Sequence, residues 1–223
     1  IFSGEMSKCT NQTFVLDYTK MAPASSHKVF WCQVLEQDCR VVFLNYPDGM
    51  KLQSDRWSDI EGNSARYCGH SGTEFEVFYL PATNWLVLKE QYDNRPVVWV
   101  TGEGAALPFE PYTDALSLNW FADVNFSSAF TAVSMIQQDE YKWETLLYMK
   151  ANFGIKIFDY FSWANELEWT SATPETIVIS EYVEDPETGK VDGNYGNAGP
   201  SFTEGYWMLK YNTSTMEVSL EPY

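Results

Sequence analysis

The 223-residue chain is long enough for one large domain or two small ones. With 45% hydrophobic and 17% aromatic residues it has ample core material, which excludes a disordered chain. Its 31 acidic side chains against 14 Lys and Arg leave a formal net charge of −17, and a surface that acidic repels phosphate backbones and anionic membranes, so nucleic acid is excluded as a partner.

No apolar run reaches the roughly 18 residues that a spanning helix needs; the longest candidates, such as Val97 to Val100, are strand-sized. The start at Ile1 fits an end left by removal of a signal peptide, and fits a trimmed chain equally. Cys9, Cys32, Cys39 and Cys68 all lie in the N-terminal third, and none follows. An even, clustered count predicts two disulfides with three possible connectivities. A zinc site would need paired close spacings such as C-x-x-C, which are absent, and His70 reads as a loop histidine beside a disulfide. Three glycosylation sequons, at Asn11, Asn125 and Asn212, agree with an oxidising compartment. The expectation is a secreted, extracellular glycoprotein, a single β domain over 1–223 whose first third, 1–72, is stapled by disulfides; the alternative is a cytosolic protein with free thiols.

Period-two patterns dominate from there on. Arg40 to Asn45 leads into Tyr46-Pro47-Asp48-Gly49 and then Met50 to Gln53, which predicts a hairpin. Asp55 to Gly72 is polar and broken by Gly62, Gly69 and Gly72, and reads as a long loop anchored by Cys68. Glu74 to Tyr79, Trp85 to Lys89 and Val97 to Thr101 predict a three-stranded meander, with Phe75, Val77 and Tyr79 on one face. An irregular stretch with Gly102, Gly104, Pro108 and Pro111 follows. Strands are expected at 117–124, 129–137, 141–151 and 155–163, with turns at Gln138-Asp139-Glu140 and Asn152-Phe153-Gly154; the rival is one short helix near 139–152. The strand template is cleaner, because Trp143, Thr145, Leu147 and Met149 then share an uncharged face. The tail offers a strand at Thr176 to Ser180, a polar loop from Glu184 to Pro200, and a last hairpin in which Tyr206 to Tyr211 and Met216 to Leu220 flank Asn212 to Thr215. Many short strands at this spacing predict an all-β, antiparallel barrel or sandwich, lipocalin-like or jelly-roll-like. A G-x-W triplet occurs only at Gly205-Tyr206-Trp207, near the C-terminal end rather than in a first strand, and carries no family membership.

The stretch from Phe158 to Trp169 poses the functional question, with five aromatic and three acidic side chains in twelve positions. Extended, Ile155, Ile157, Asp159, Phe161 and Trp163 face one way and Lys156, Phe158, Tyr160 and Ser162 the other, so both faces carry large rings. Either both faces are packed, or one lines a cavity. Trp120, Phe126, Trp143, Tyr148, Phe158, Tyr160 and Trp163 are the expected wall for a ligand. Glu166 and Glu168 point to one face, about 6.5–7 Å apart along the backbone, within the roughly 5–9.5 Å that paired glycosidase carboxylates span. They are weak catalytic candidates, since such alternation is common on solvated faces. Asp185, Glu187, Asp192 and Asn194 could offer oxygens to calcium, but their spacing departs from the EF-hand loop. No G-x-S-x-G, P-loop or H-E-x-x-H motif is present, and His27 and His70 are the only histidines, so the reading leans away from an enzyme and implies no cofactor.

The function expected is therefore an extracellular binding protein that holds a hydrophobic or aromatic small molecule in an aromatic-lined β cavity. Burying about 300 Å² of apolar ligand surface would contribute on the order of 7 kcal/mol before ordering costs. The alternatives are a carbohydrate-binding module or glycan-active enzyme using an aromatic groove and paired carboxylates, and a surface glycoprotein that binds another protein.

Overall fold

The computed structural model describes residues 13–23, 28–35, 39–69, 73–81, 83–90, 98–108, 117–118, 120, 132–159, 165–185 and 190–223. The chain is all-β among the described residues, as the alternation predicts. Tyr18–Lys20 form a three-residue 3-10 turn, and among the described residues no helix is long and apolar enough to cross a membrane. Two compact units form: Ile1–Asp93 with Pro108–Glu110, and Asn94–Leu107 with Pro111–Tyr223.

The first unit is a sandwich. One sheet holds β1 (Thr13–Asp17), β4 (Arg40–Leu44), β7 (Ser64–Tyr67) and β6 (Trp57–Glu61), in the order β1-β4-β7-β6. The other holds β2 (Ala22–Pro23), β3 (Lys28–Leu35), β8 (Thr73–Leu80), β9 (Trp85–Glu90) and β5 (Lys51–Leu52), in the order β2-β3-β8-β9-β5. Alternate residues from both sheets meet in one core: Phe14 and Leu16, Val41 and Phe43, Ala65 and Tyr67, Val77 and Tyr79, Leu86 and Leu88. Phe43 meets Trp57 edge to face at 5.1 Å, and Tyr18 meets Tyr79 the same way, contacts that contribute about 0.5–1.5 kcal/mol each beyond burial.

Three expectations are corrected here. The predicted hairpin at 40–53 does not form, because β4 pairs with β1 and β7 whereas β5 runs parallel to β9. The turn chemistry at Gly49 is right, with φ 80°, but the turn carries the chain from one sheet to the other. The expected loop at 55–72 contains the β6–β7 hairpin, whose Ala65 and Tyr67 face the core while Ser64 and Arg66 face outward. The predicted meander keeps its first two strands, paired as β8 and β9, but its third belongs to the second unit.

In the second unit, β10 (Trp99–Ala106) is flanked by β11 (Ala132–Ser134) and β13 (Lys142–Phe158), and β12 (Ile136–Gln137) also pairs with β13. β14 (Thr170–Ser171), β15 (Ile177–Asp185), β16 (Lys190–Ala198), β17 (Gly205–Asn212) and β18 (Glu217–Pro222) complete a nine-stranded sheet. Most pairs are antiparallel; β14–β18, like β1–β4 and β5–β9, is parallel. The helix weighed for 139–152 is absent, and so is the turn expected at 152–154: 142–158 is one 17-residue strand. The turn at Gln138 to Glu140 and the last hairpin, β17–β18, form as predicted. The polar loop expected from Glu184 to Pro200 is largely β16, which pairs with β15 along most of its length.

Both faces of β13 are packed, the first of the two arrangements that the double-sided ring pattern left open. Residues 145–149 and 153–158 are all buried. On one side of the sheet, Ile155 and Ile177 surround Gly196, where an added Cβ would lie 2.5 Å from the Trp169 ring.

Candidate functional site

In the sheet of the second unit the register shifts within β15–β16 and also between β10 and β13, where the irregularity is largest. Glu103 is paired with Gly154, but the next pair is Ala105 with Met149, so residues 150–153 of β13 oppose Gly104 alone. Gly104 sits at φ 63°, a left-handed conformation that costs other side chains about 1 kcal/mol or more. Bulges of this kind re-aim the side chain beside them, and here that side chain is Glu103, which is exposed.

Glu103 meets an aromatic pair. Tyr195 of β16 donates from its hydroxyl to Glu103 Oε1 at 3.5 Å. Its ring stacks on Trp120, with centroids 5.4 Å apart and planes 28° from parallel. The Tyr195 phenol lies across Gly154, where a Cβ would stand 1.7 Å from the hydroxyl. Trp120 and Tyr195 are half-buried. Asn197 pairs with Gly154 from the same strand, and its amide donates to Ser180 Oγ at 3.2 Å. A flat aromatic surface is thus bordered by a carboxylate, an amide and a hydroxyl. No family model and no curated protein matches this chain.

Deeper on the same face, by strand alternation, lies an ion pair. Thr101 pairs with Lys156 and Trp99 with Phe158. Lys156 Nζ donates to Glu166 Oε2 at 3.1 Å, with side chains only 3% and 10% exposed. Trp99, Ala132 and Phe158 form a buried apolar cluster beside it, against which Trp143 packs. Taking both charges out of water is costly, so each depends on the other; removing one partner of such a pair typically costs about 3–5 kcal/mol. Tyr211 donates to the Glu168 carbonyl at 3.2 Å, and burial, helped by the Asp159 charge, raises its phenol pKa.

Of the predicted wall, Trp120 is on the platform, Phe158 is fully buried and Trp143 packs beside Phe158. Tyr148 sits elsewhere, edge to face with Tyr206 and donating to Glu204 Oε1 at 3.0 Å. Phe126, Tyr160 and Trp163 lie outside the described residues. A shallow depression of about 380 Å³ in this unit is lined by Trp169, Pro174, Val178 and Ser180, and by none of the predicted wall. Glu166 and Glu168 differ sharply: the first is held by Lys156 and the second is exposed. Of the calcium candidates, Asp185 on β15 stands opposite Lys190, Asp192 and Asn194 lie on β16, and Glu187 is outside the described residues. Among the other predicted sites, Cys9, Asn11 and Asn125 also lie outside them, and Cys32 is placed by its strand alone.

The sequence reading missed Glu103, Tyr195 and Lys156. A glutamate between two glycines after a strand, in Gly102-Glu103-Gly104, was the available signal for a bulge. A lone lysine in the apolar run 155–158 was the signal for a buried partner.

Proposed function

We propose that the second unit is an extracellular carbohydrate-binding module, with the stacked Trp120–Tyr195 pair beside Glu103 as its platform. The observation that carries this reading is the stacked pair itself, half-exposed and held in place by the gap at Gly154. Sugars present apolar C–H faces that lie on aromatic rings, ringed by hydroxyls that need partners. Glu103, Asn197 and Ser180 supply an acceptor, an amide and a hydroxyl around the rings. A binding site with a mainly apolar floor and a few convergent polar groups fits the usual pattern of ligand recognition.

A second reading, the hydrophobic small molecule expected from sequence, is favoured by one observation: the Trp99–Phe158–Trp143 cluster lies beside a polar pair, Lys156–Glu166. Such a ligand would meet apolar rings and one ion pair.

Affinity electrophoresis in gels cast with neutral polysaccharides separates the two. The glycan reading expects retarded migration that Trp120→Ala, Tyr195→Ala and Glu103→Gln each weaken while circular dichroism stays unchanged. Unaltered mobility in every polysaccharide, together with a lipid or aromatic molecule released from the native protein in the mass spectrometer, would transfer the assignment to the second reading.

A further inference from the structure

Asn212 closes β17, and the exposed residues 213–216 turn the chain into β18. Its carboxamide is held in a fixed orientation. Oδ1 accepts from the backbone N–H of Ser214 at 2.9 Å and of Thr215 at 3.3 Å, an Asx-type turn. Among the described residues, Nδ2 donates to nothing, and neither does the Ser214 hydroxyl. The neighbouring hydroxyl is committed: Thr213 donates to the Tyr141 carbonyl both from Oγ1, at 3.2 Å, and from its backbone N–H, at 2.9 Å. The two groups of the sequon that must stay accessible are therefore the two that the fold leaves unused.

A second observation points to what sits there. Tyr141 and Met216 flank this turn and are 45% and 49% exposed, large apolar side chains left open to water. Tyr141 is tied to the turn through Thr213, and the Met216 carbonyl accepts from Thr170 N–H at 2.7 Å, so both positions are fixed. The C–H face of a sugar stacked on a tyrosine ring would cover such surface.

We infer that Asn212 is an N-glycan acceptor whose first sugar lies over Tyr141 and Met216. The inference rests on the extracellular compartment proposed above, but not on glycan binding at Trp120. In the transfer, Nδ2 forms a bond to the anomeric carbon of a lipid-pyrophosphate-linked oligosaccharide. The lipid pyrophosphate leaves with the C–O bonding pair, and one amide proton passes to base.

The chain is produced with a cleavable leader in mammalian secretory cells and digested with peptide-N-glycosidase in heavy-oxygen water. The peptide containing residue 212 is expected to carry labelled aspartate in most molecules. Ser214→Ala leaves the backbone contacts of Asn212 Oδ1 intact and is expected to abolish the label without changing the circular dichroism spectrum. Asn212→Gln is expected to increase binding of a hydrophobic dye relative to the glycosylated protein. An unlabelled Asn212 in molecules labelled at Asn11 or Asn125 overturns this assignment and leaves the compartment standing. Absence of label at all three overturns both. Label retained in Ser214→Ala overturns the assignment as well.

Discussion

Cys39 and Cys68 project from opposite faces of the ladder that joins β4 to β7. Arg40 is in register with Arg66, and the Cys39 carbonyl accepts from Tyr67 N–H at 2.9 Å, so Cys39 stands opposite Tyr67. Both of those side chains lie in the sandwich core. Cys68, one position further, points the other way and donates its thiol proton to Ser58 Oγ at 3.0 Å. A disulfide needs Cβ vectors that converge. Of the three connectivities open to four cysteines, the one containing a Cys39–Cys68 bridge is thus excluded. Non-reducing peptide mapping is expected to find no peptide that links Cys39 to Cys68. A linked Cys39–Cys68 peptide would contradict the register.

Gly154 and Tyr195 make a second such pair. A methyl group at 154 would meet the Tyr195 hydroxyl at 1.7 Å, and overpacking of this kind costs about 1–3 kcal/mol. Gly154→Ala is therefore expected to lower the denaturation midpoint and to disturb the Trp120 fluorescence. In a Tyr195→Ala background the same substitution should cost much less, because the colliding ring is gone. Equal costs in both backgrounds would mean that the strain at 154 comes from the backbone, and the platform would lose its support.

How much of this was legible follows from the range over which each signal acts. Strict alternation, as at Val41 and Phe43 or Val77 and Tyr79, is local and led directly to strands. The β17–β18 hairpin was legible because its turn and both strands are adjacent in sequence. Pairing partners were not. Pro47, Asp48 and Gly49 mark a turn correctly, yet nothing local says that β5 leaves for the other sheet. Asn152-Phe153-Gly154 reads as a turn because its residues are turn formers, but the fold absorbs it as a bulge against Gly104, about fifty residues away in the chain. β16 was hidden by Gly193, Asn194 and Gly196, poor strand formers, of which Gly196 makes room for Trp169. Lys156 and Glu166 were each in view, but their union depends on the chain reversing after Phe158 to bring Glu166 opposite it.

That buried pair makes its own prediction. Lys156→Met leaves Glu166 with an uncompensated charge at 10% exposure, and is expected to destabilise the protein by about 3–5 kcal/mol. The double variant Lys156→Met, Glu166→Leu removes both charges and should recover most of that loss. Urea denaturation of the two singles and the double closes the cycle. Additive losses would show that the two side chains are not coupled.

The last prediction concerns alkaline pH and the tyrosine cluster of the first unit. Tyr46 packs against Tyr18 and Tyr79, with ring centroids 5.4 and 5.7 Å away, and donates to Met21 Sδ at 3.3 Å. Burial first, then the nearby Asp17 charge, pushes its phenol pKa well above the ordinary 10.0. Tyr79 is raised too, chiefly by burial. A folded pKa above the unfolded one means that this contribution is complete below pH 10.0. Above it, the unfolded chain loses the proton and the folded chain keeps it, so stability falls as pH rises, by up to about 1.4 kcal/mol per pH unit for each such group. Asp17 works in the opposite sense. Hydrogen bonds from Asn45 and Thr19 hold its carboxyl below the ordinary 3.8, so its contribution is present above that value and is lost as pH falls further. Urea midpoints measured from neutral pH into the alkaline range are expected to decline steeply in the wild type and less steeply in Tyr46→Phe, which has no proton to lose there. Parallel declines in the two proteins would show that Tyr46 is not held in its protonated form, and that the cluster around it is open to water.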